Sequence, residues 1–201
     1  MSQPEWHSDF FTGLVVESQR RLNPESKTRD EARFLQTHLR VAPGGRVADV
    51  PCGDGRLTVA FAEAGYETVG VDGSQGLLEA ARERLTGRSL PAEFHRRDMR
   101  DLPWESHFDG VFCVGNSFAY LDDAGNEAFL RAVHRSLKPG GRFALETGVV
   151  AESVLPNLVS GRWWLLGDLY FLHETDFDPL TSRLTSDYTL MRDGVVEKKR
   201  A

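Results

Sequence analysis

Between residues 46 and 147 the chain alternates between two patterns, and this alternation constrains its fold more than any other feature. RVADV (46–50), ETVGV (67–71), AEFHR (92–96), FDGVFCV (108–114) and RFALET (142–147) are short runs rich in apolar and β-branched residues. Between them the apolar residues recur at helix spacing: Leu57, Ala60, Phe61 and Ala64; then Leu77, Leu78, Ala81 and Leu85; then Phe129, Leu130, Val133 and Leu137. Gly65 and Gly87 stand where the first two helices should stop, and Ser74 where the second should start. Lys138-Pro139-Gly140-Gly141 is expected to break the chain before the last run. Strands that alternate with helices line up in parallel, and helices then cover both faces of the sheet. The expected fold class is therefore α/β, a doubly wound, mostly parallel sheet with helices on both faces.

Additions are expected at both ends. Residues 1–42 read as an N-terminal helical layer, with Ala32, Leu35 and Leu39 on one face, Phe34 beside them, and a break at Asn23-Pro24. Pro43-Gly44-Gly45 turns the chain into the core, residues 43–160. Residues 161–201 change rhythm and read as antiparallel strands on the substrate or dimer side, with Asp193-Gly194 as a hairpin signal. The whole of 1–201 is expected to form a single domain.

Composition narrows the partners. The net charge is −6 and no basic stripe interrupts it, which argues against a nucleic-acid backbone. Glu197-Lys198-Lys199-Arg200 is expected to be a solvated chain end. Cys52 and Cys113 form no CxxC pair and read as small buried hydrophobes in a reducing compartment. The six histidines show no paired ligand spacing, so no metal is expected; His95 and His173 read as structural, and His134 as facing solvent. MSQPEWHSDF lacks the pattern of a signal peptide, and no apolar run is long enough to cross a bilayer. A cytoplasmic address and no membrane partner are expected. Trp163-Trp164 suits a substrate pocket, a dimer surface or plain core.

The chemistry concentrates in DVPCGDG, Asp49 to Gly55. In open parallel sheets ligands bind outside the carboxyl ends of the strands, and this loop begins at such an end. Gly53 and Gly55 allow a ligand to lie against bare backbone. A P-loop would need a Lys after the glycines, and none follows. A dinucleotide fingerprint would need a third glycine or alanine where Thr58 stands. Asp49 and Asp54 would repel a pyrophosphate and attract an ammonium or a sulfonium. Asp72 ends the second run, where an acid can accept from ribose hydroxyls. Asp98 follows the third and can accept from an exocyclic amine, while Met99 can offer its backbone N–H to a ring nitrogen. Together these groups suit an adenosine with a cationic, amino-acid-like arm. Each acid also has a purely structural reading: a helix cap for Asp49, an Asx turn with Gly73 for Asp72, a solvated loop acid for Asp98 and Asp101.

The ordered set DVPCGDG, VGVDGS, RDMRDLP, FDGVFCVGNSFAYL and LKPGGRFALET resembles the class I (Rossmann-like) S-adenosylmethionine-dependent methyltransferases over roughly residues 28–150. NSFAYL with the later ETGVVAES and SRLTSDYTLMRDG looks like the bacterial small-molecule branch. The resemblance implies that S-adenosyl-L-methionine is the cofactor and S-adenosyl-L-homocysteine the product. It implies that Asp49, Gly53 and Gly55 hold the methionine end, Asp72 the ribose, and Asp98 and Met99 the adenine, with Pro51, Gly73 and Ser74 also among the cofactor-binding residues. Val114, Gly115 and Asn116 would line the methyl-transfer site. Asn116, Tyr120 and Glu146 lie near strand ends and are candidates for positioning an acceptor; no general base stands out. Asn116-Ser117-Phe118 lacks the prolines that amino-methylating nucleic-acid enzymes carry there, so the implied acceptor is a small molecule. A homodimer is a further candidate. One departure stands out: the last helix and strand pair of the family fold are expected to be missing, leaving the sheet edge beside the fifth strand unpaired. This keeps open a cofactor-binding module without turnover. An NAD-dependent dehydrogenase is the third reading, disfavoured by Thr58 and the acidic loop.

Overall fold

The computed structural model describes residues 7–118 and 120–201. In chain order the elements are α1 (His7–Phe10), α2 (Gly13–Leu22), α3 (Glu25–Leu39), β1 (Arg46–Asp49), α4 (Arg56–Glu63), β2 (Glu67–Asp72), α5 (Gln75–Glu83), β3 (Ala92–Arg96), β4 (Phe108–Cys113), α6 (Asp123–Ser136) and β5 (Leu137–Leu145). A short α7 (Ala151–Val154) and a 3-10 turn (Leu155–Asn157) lead to β6 (Gly161–Leu166), β7 (Leu169–Asp178), β8 (Arg183–Arg192) and β9 (Val195–Arg200). They fall into two compact units: Glu25–Gly148, and the chain up to Pro24 together with Val149–Ala201. The N-terminal helices are thus shared out, α3 to the first unit and α1 and α2 to the second.

In the first unit five parallel strands run in the order β3-β2-β1-β4-β5. Beyond their first residues, β1 and β2 are buried throughout, and β4 nearly so, as strands covered on both faces must be. Alternate residues feed two cores. Ala48, Val69, Val71, Val111 and Cys113 pack with Phe129, Ala132 and Val133 of α6. Val47 and Phe112 pack with Ala32, Leu35 and Leu39 of α3 and with Leu57 and Phe61 of α4. The doubly wound sheet read from the sequence is the fold observed. Ser74 caps α5, its hydroxyl accepting from the Leu77 N–H at 3.3 Å.

β5 corrects one expectation. Lys138-Pro139-Gly140-Gly141 does not break the chain but lies inside the strand, where Leu137 pairs with Phe108 and the register then shifts so that Arg142 pairs with Gly110. Proline is tolerated at an edge or a bulge because it has no N–H to leave unpaired there. Among the described residues no strand pairs with the outer side of β5.

The second unit is a four-stranded antiparallel sheet, β6-β7-β8-β9. Phe10, Leu14 and Val15 pack against Leu169, Phe171 and Leu190. Asp193 and Gly194 both take positive φ (50° and 78°), as a two-residue hairpin turn of this hand requires. The run Glu197–Arg200 is part of β9 rather than a solvated end. The Glu197 carboxylate accepts the Leu14 N–H at 2.9 Å, which satisfies a helix start that Thr12 leaves uncapped. Trp163 is 66% exposed, so the Trp163-Trp164 pair is not plain core.

Phe61 is fully buried between Tyr66 and Phe112, with ring centroids at 5.3 and 5.0 Å. Phe61→Ala is expected to destabilise the chain by about 3–5 kcal/mol in urea denaturation. Phe34→Ala, on the exposed side of α3, should change it by no more than about 0.5 kcal/mol.

Candidate active site

The parallel strands deliver their carboxyl ends to one edge, and the strand order reverses between β1 and β4, where ligands of such sheets bind. Asp49 is the last residue of β1. Its neighbours in register are Gly70 on β2 and Phe112 on β4, and only 3% of it is exposed. Its Oδ2 accepts from the Thr58 hydroxyl at 2.8 Å, and the Thr58 backbone N–H donates to the carboxylate as well. The N-cap of α4 is Gly55, which has no side chain to offer, so Asp49 does the capping. Burial pushes the Asp49 carboxyl up to about 7, against the hydrogen bonds from Thr58 and the charge of Arg56 that lower it.

The other carboxylates hold the loops. Asp72 is buried at the end of β2 and accepts the Gly53 N–H and the Ser74 N–H, each at 2.8 Å. The second bond is the Asx turn. Glu146, just past β5, accepts the Gly115 N–H at 2.8 Å, and Asn116 Oδ1 accepts the Gly148 N–H at 2.6 Å. These two bonds tie the loop after β4 to the loop after β5. Tyr120, half-buried, lies farther along the first of these loops, and its backbone N–H donates to the Ser117 carbonyl at 3.4 Å.

The glycines differ in what they leave open. At Gly53 (φ 56°) and Gly115 (φ 79°) an added Cβ would meet nothing within 4 Å, and at Gly73 nothing nearer than the Arg97 carbonyl at 3.9 Å. Gly55 has another reason: a Cβ there would come within 2.7 Å of Phe94 and 2.8 Å of Ala81, so it lets α4 pack. Pro51 is half-buried in the loop between Asp49 and Gly53, and Val114 and Met99 pack partly against the two cores. Ser74 is committed to its cap.

Three partners were not legible in the sequence. Asp54 is not available to a cationic ligand in the way expected: Arg84 binds both its carboxylate and, at 2.8 Å, its carbonyl oxygen. Asp98 is paired with Arg100, whose backbone N–H and Nε both donate to Oδ1 at 2.8 Å while a terminal nitrogen reaches Oδ2 at 2.5 Å. The spacing in RDMRD carried that signal. Thr58 counted only as a missing glycine. The two cysteines are buried; burial drives the Cys52 thiol well above its ordinary value and Cys113 up to about 12, so neither is a nucleophile near neutrality.

Comparison with known proteins shows what this core is similar to. Residues 47–141 match the family model described as a methyltransferase domain. That stretch of the chain is similar to a methyltransferase domain. The match runs from β1 into β5 and takes in the loop from Asp49 to Gly55. The chain is 36% identical over 120 residues to cypemycin N-terminal methyltransferase from Streptomyces sp, covering 59% of this chain and 48% of that protein. It is 31% identical over 135 residues to glycine N-methyltransferase from Rattus norvegicus, covering 60% and 46%. The chain spans about half the length of the curated relatives it matches. In fold it is similar to the CcbJ methyltransferase from Streptomyces caelestis, with a TM-score of 0.77 and 19% identity over 99% of this chain and 80% of that one. S-adenosylmethionine is the methyl donor named for a solved structure similar in fold, the methyltransferase from Clostridium acetobutylicum, with a TM-score of 0.72 and 19% identity over 92% of this chain and 76% of that one. The residues present fit it: buried carboxylates stand at the ends of β1 and β2, and open glycine backbone follows β1, β2 and β4.

The raised carboxyl of Asp49 makes stability depend on pH with a known sign. Its folded value lies above its unfolded one, so its contribution is fully present below about pH 4 and is lost as pH rises towards 7. Asp49→Asn keeps the shape without the charge. Its stability relative to the parent chain should grow by up to about 1.4 kcal/mol per pH unit between pH 4 and 7 and level off above, in urea denaturation of the ligand-free protein.

Proposed function

We propose that this chain transfers a methyl group from S-adenosylmethionine to a small-molecule acceptor by in-line displacement, as a cytoplasmic enzyme whose methyltransferase domain spans 1–201. The observation that carries this reading is the buried Asp49 carboxylate at the point where the strand order reverses, beside open backbone at Gly53, Gly73 and Gly115. The cofactor supplies a methyl carbon already activated by a cationic sulfur. Asp49 offers the cationic arm a negative partner where little water competes. Asp72 faces the ribose hydroxyls, Met99 offers its backbone N–H to adenine, and Asp98 is an acceptor that stays bridged to Arg100. Asn116 and Glu146 act by fixing the loops after β4 and β5, against which an acceptor is aligned. Alignment and exclusion of water alone supply ~7–11 kcal/mol of barrier lowering, so no general base is required of an acceptor that attacks with its lone pair. The net charge of −6 favours a small acceptor over a nucleic acid. Among the described residues no helix is long and apolar enough to cross a membrane.

A second reading, a module that binds the cofactor without turning it over, draws on the unpaired outer side of β5 among the described residues. Release of S-adenosylhomocysteine in the presence of candidate amines, alcohols and phenols separates the two.

Calorimetric titration with S-adenosylmethionine, S-adenosylhomocysteine and NAD is expected to give micromolar binding of the two sulfur compounds and none of NAD. Asp72→Ala should weaken it by roughly 1–3 kcal/mol, the scale of hydrogen bonds to a charged group. Binding of NAD alone would sink the methyltransferase reading.

A further inference from the structure

Thr58 is fully buried, on the first turn of α4, and is bonded through both its hydroxyl and its backbone N–H to one carboxylate. A buried hydroxyl usually finds the carbonyl one turn back in its own helix. Here it reaches across to the end of β1 instead, at 2.8 Å. A buried carboxylate survives in its charged form only if donors and positive charge replace the water it has lost. The groups around Asp49 divide as follows. From α4 come the Thr58 donors and the positive charge of Arg56, itself paired with Glu31 on α3. From β2 comes the negative charge of Asp72, which opposes ionisation. The loop thiol of Cys52 and the β4 thiol of Cys113 also lie within the field of Asp49, and both are neutral. The Thr58 hydroxyl is a neutral side-chain donor bonded to this carboxylate, and it can be removed without changing any charge.

We propose that Thr58 is a positioning residue for the methyl donor, its hydroxyl fixing the Asp49 carboxylate at the end of β1 as an anion for the cationic arm of the cofactor to pair with. The inference rests on the methyl-donor reading and adds to it the residue that sets when the site is competent. It also makes affinity for the donor a function of pH, rising as Asp49 ionises.

The test uses the full chain with Thr58→Val, which keeps the shape and loses the hydroxyl, and Thr58→Ser, which restores it. Carboxyl-carbon NMR of the ligand-free protein reads Asp49 directly. Its titration midpoint should rise by about one pH unit in Thr58→Val, the worth of one hydrogen bond to a charged group, and return in Thr58→Ser. Calorimetry with S-adenosylmethionine should show Thr58→Val about tenfold weaker than the parent at pH 6 and roughly equal to it at pH 9. An unchanged midpoint, or an affinity loss of the same size at both pH values, overturns the proposal, since lost packing would not depend on pH. Asp49→Asn is a second route if Thr58→Val does not fold: it should bind weakly at every pH, and parent-like affinity with a parent-like pH profile would likewise overturn it. If the parent chain binds neither sulfur compound while the NMR shift appears as expected, the methyl-donor reading is what fails.

Discussion

A carboxylate at the inner end of a strand covered on both faces must replace its lost hydration with protein donors, and Asp49 is in that position. β1 lies between β2 and β4, with α6 on one face and α3 and α4 on the other, so its last residue is delivered into the interior. The protein answers with two donors from Thr58, the positive charge of Arg56 and the amino end of α4, whose dipole favours an anion. Asp72 works against them. The balance leaves the group near the midpoint of its titration at neutral pH, a state that burial alone or full compensation would not produce. Ligand sites commonly carry a locally unfavourable charge of this kind, because the missing counter-charge is what the ligand brings.

The surrounding loops follow a single device. Backbone N–H groups near a buried edge need acceptors. Here Asp72 takes those of Gly53 and Ser74, Glu146 takes that of Gly115, and Asn116 takes that of Gly148. The side chains satisfy the backbone, while the α-carbons of Gly53 and Gly115 face open space. Bare backbone is then the surface offered to a ligand. The residues that look most like acid–base groups are engaged in fixing loop shape, which suits a reaction whose main demand on the protein is alignment.

The parallel sheet was legible because double burial leaves a mark on sequence: unbroken apolar runs, each followed by a helix of the right period. Ser74 and Asp193-Gly194 were legible because capping and hairpin turns are local. What escaped were partners distant in the chain. Glu197 looked like part of a charged tail, since nothing near it points to the Leu14 N–H that it accepts. Asp54 looked like a ligand group because Arg84, on the far side of β2 in the sequence, gave no sign of reaching it. The bulge in β5 escaped for a different reason: Pro-Gly-Gly reads as a stop, and only the edge position of the strand makes it harmless. The structural readings of Asp49 and Asp72, at the start of α4 and in an Asx turn, are the ones the hydrogen bonds bear out.

Thr58 ties the electrostatics of the site to the class of cofactor proposed for it. In a dinucleotide loop the third glycine lets helix and strand approach closely, and the helix amino end faces a pyrophosphate. A threonine there supplies a donor to a carboxylate instead. Neither half of the pair is neutral alone. With glycine at position 58, Asp49 would be a buried acid short of a donor and would stay protonated further above neutrality. With an apolar residue at position 49, the amino end of α4 would lose its cap, and the Thr58 hydroxyl would turn back on its own helix. The two residues are thus joined in the fold, and the proposed cationic ligand is the one whose charge suits the pair.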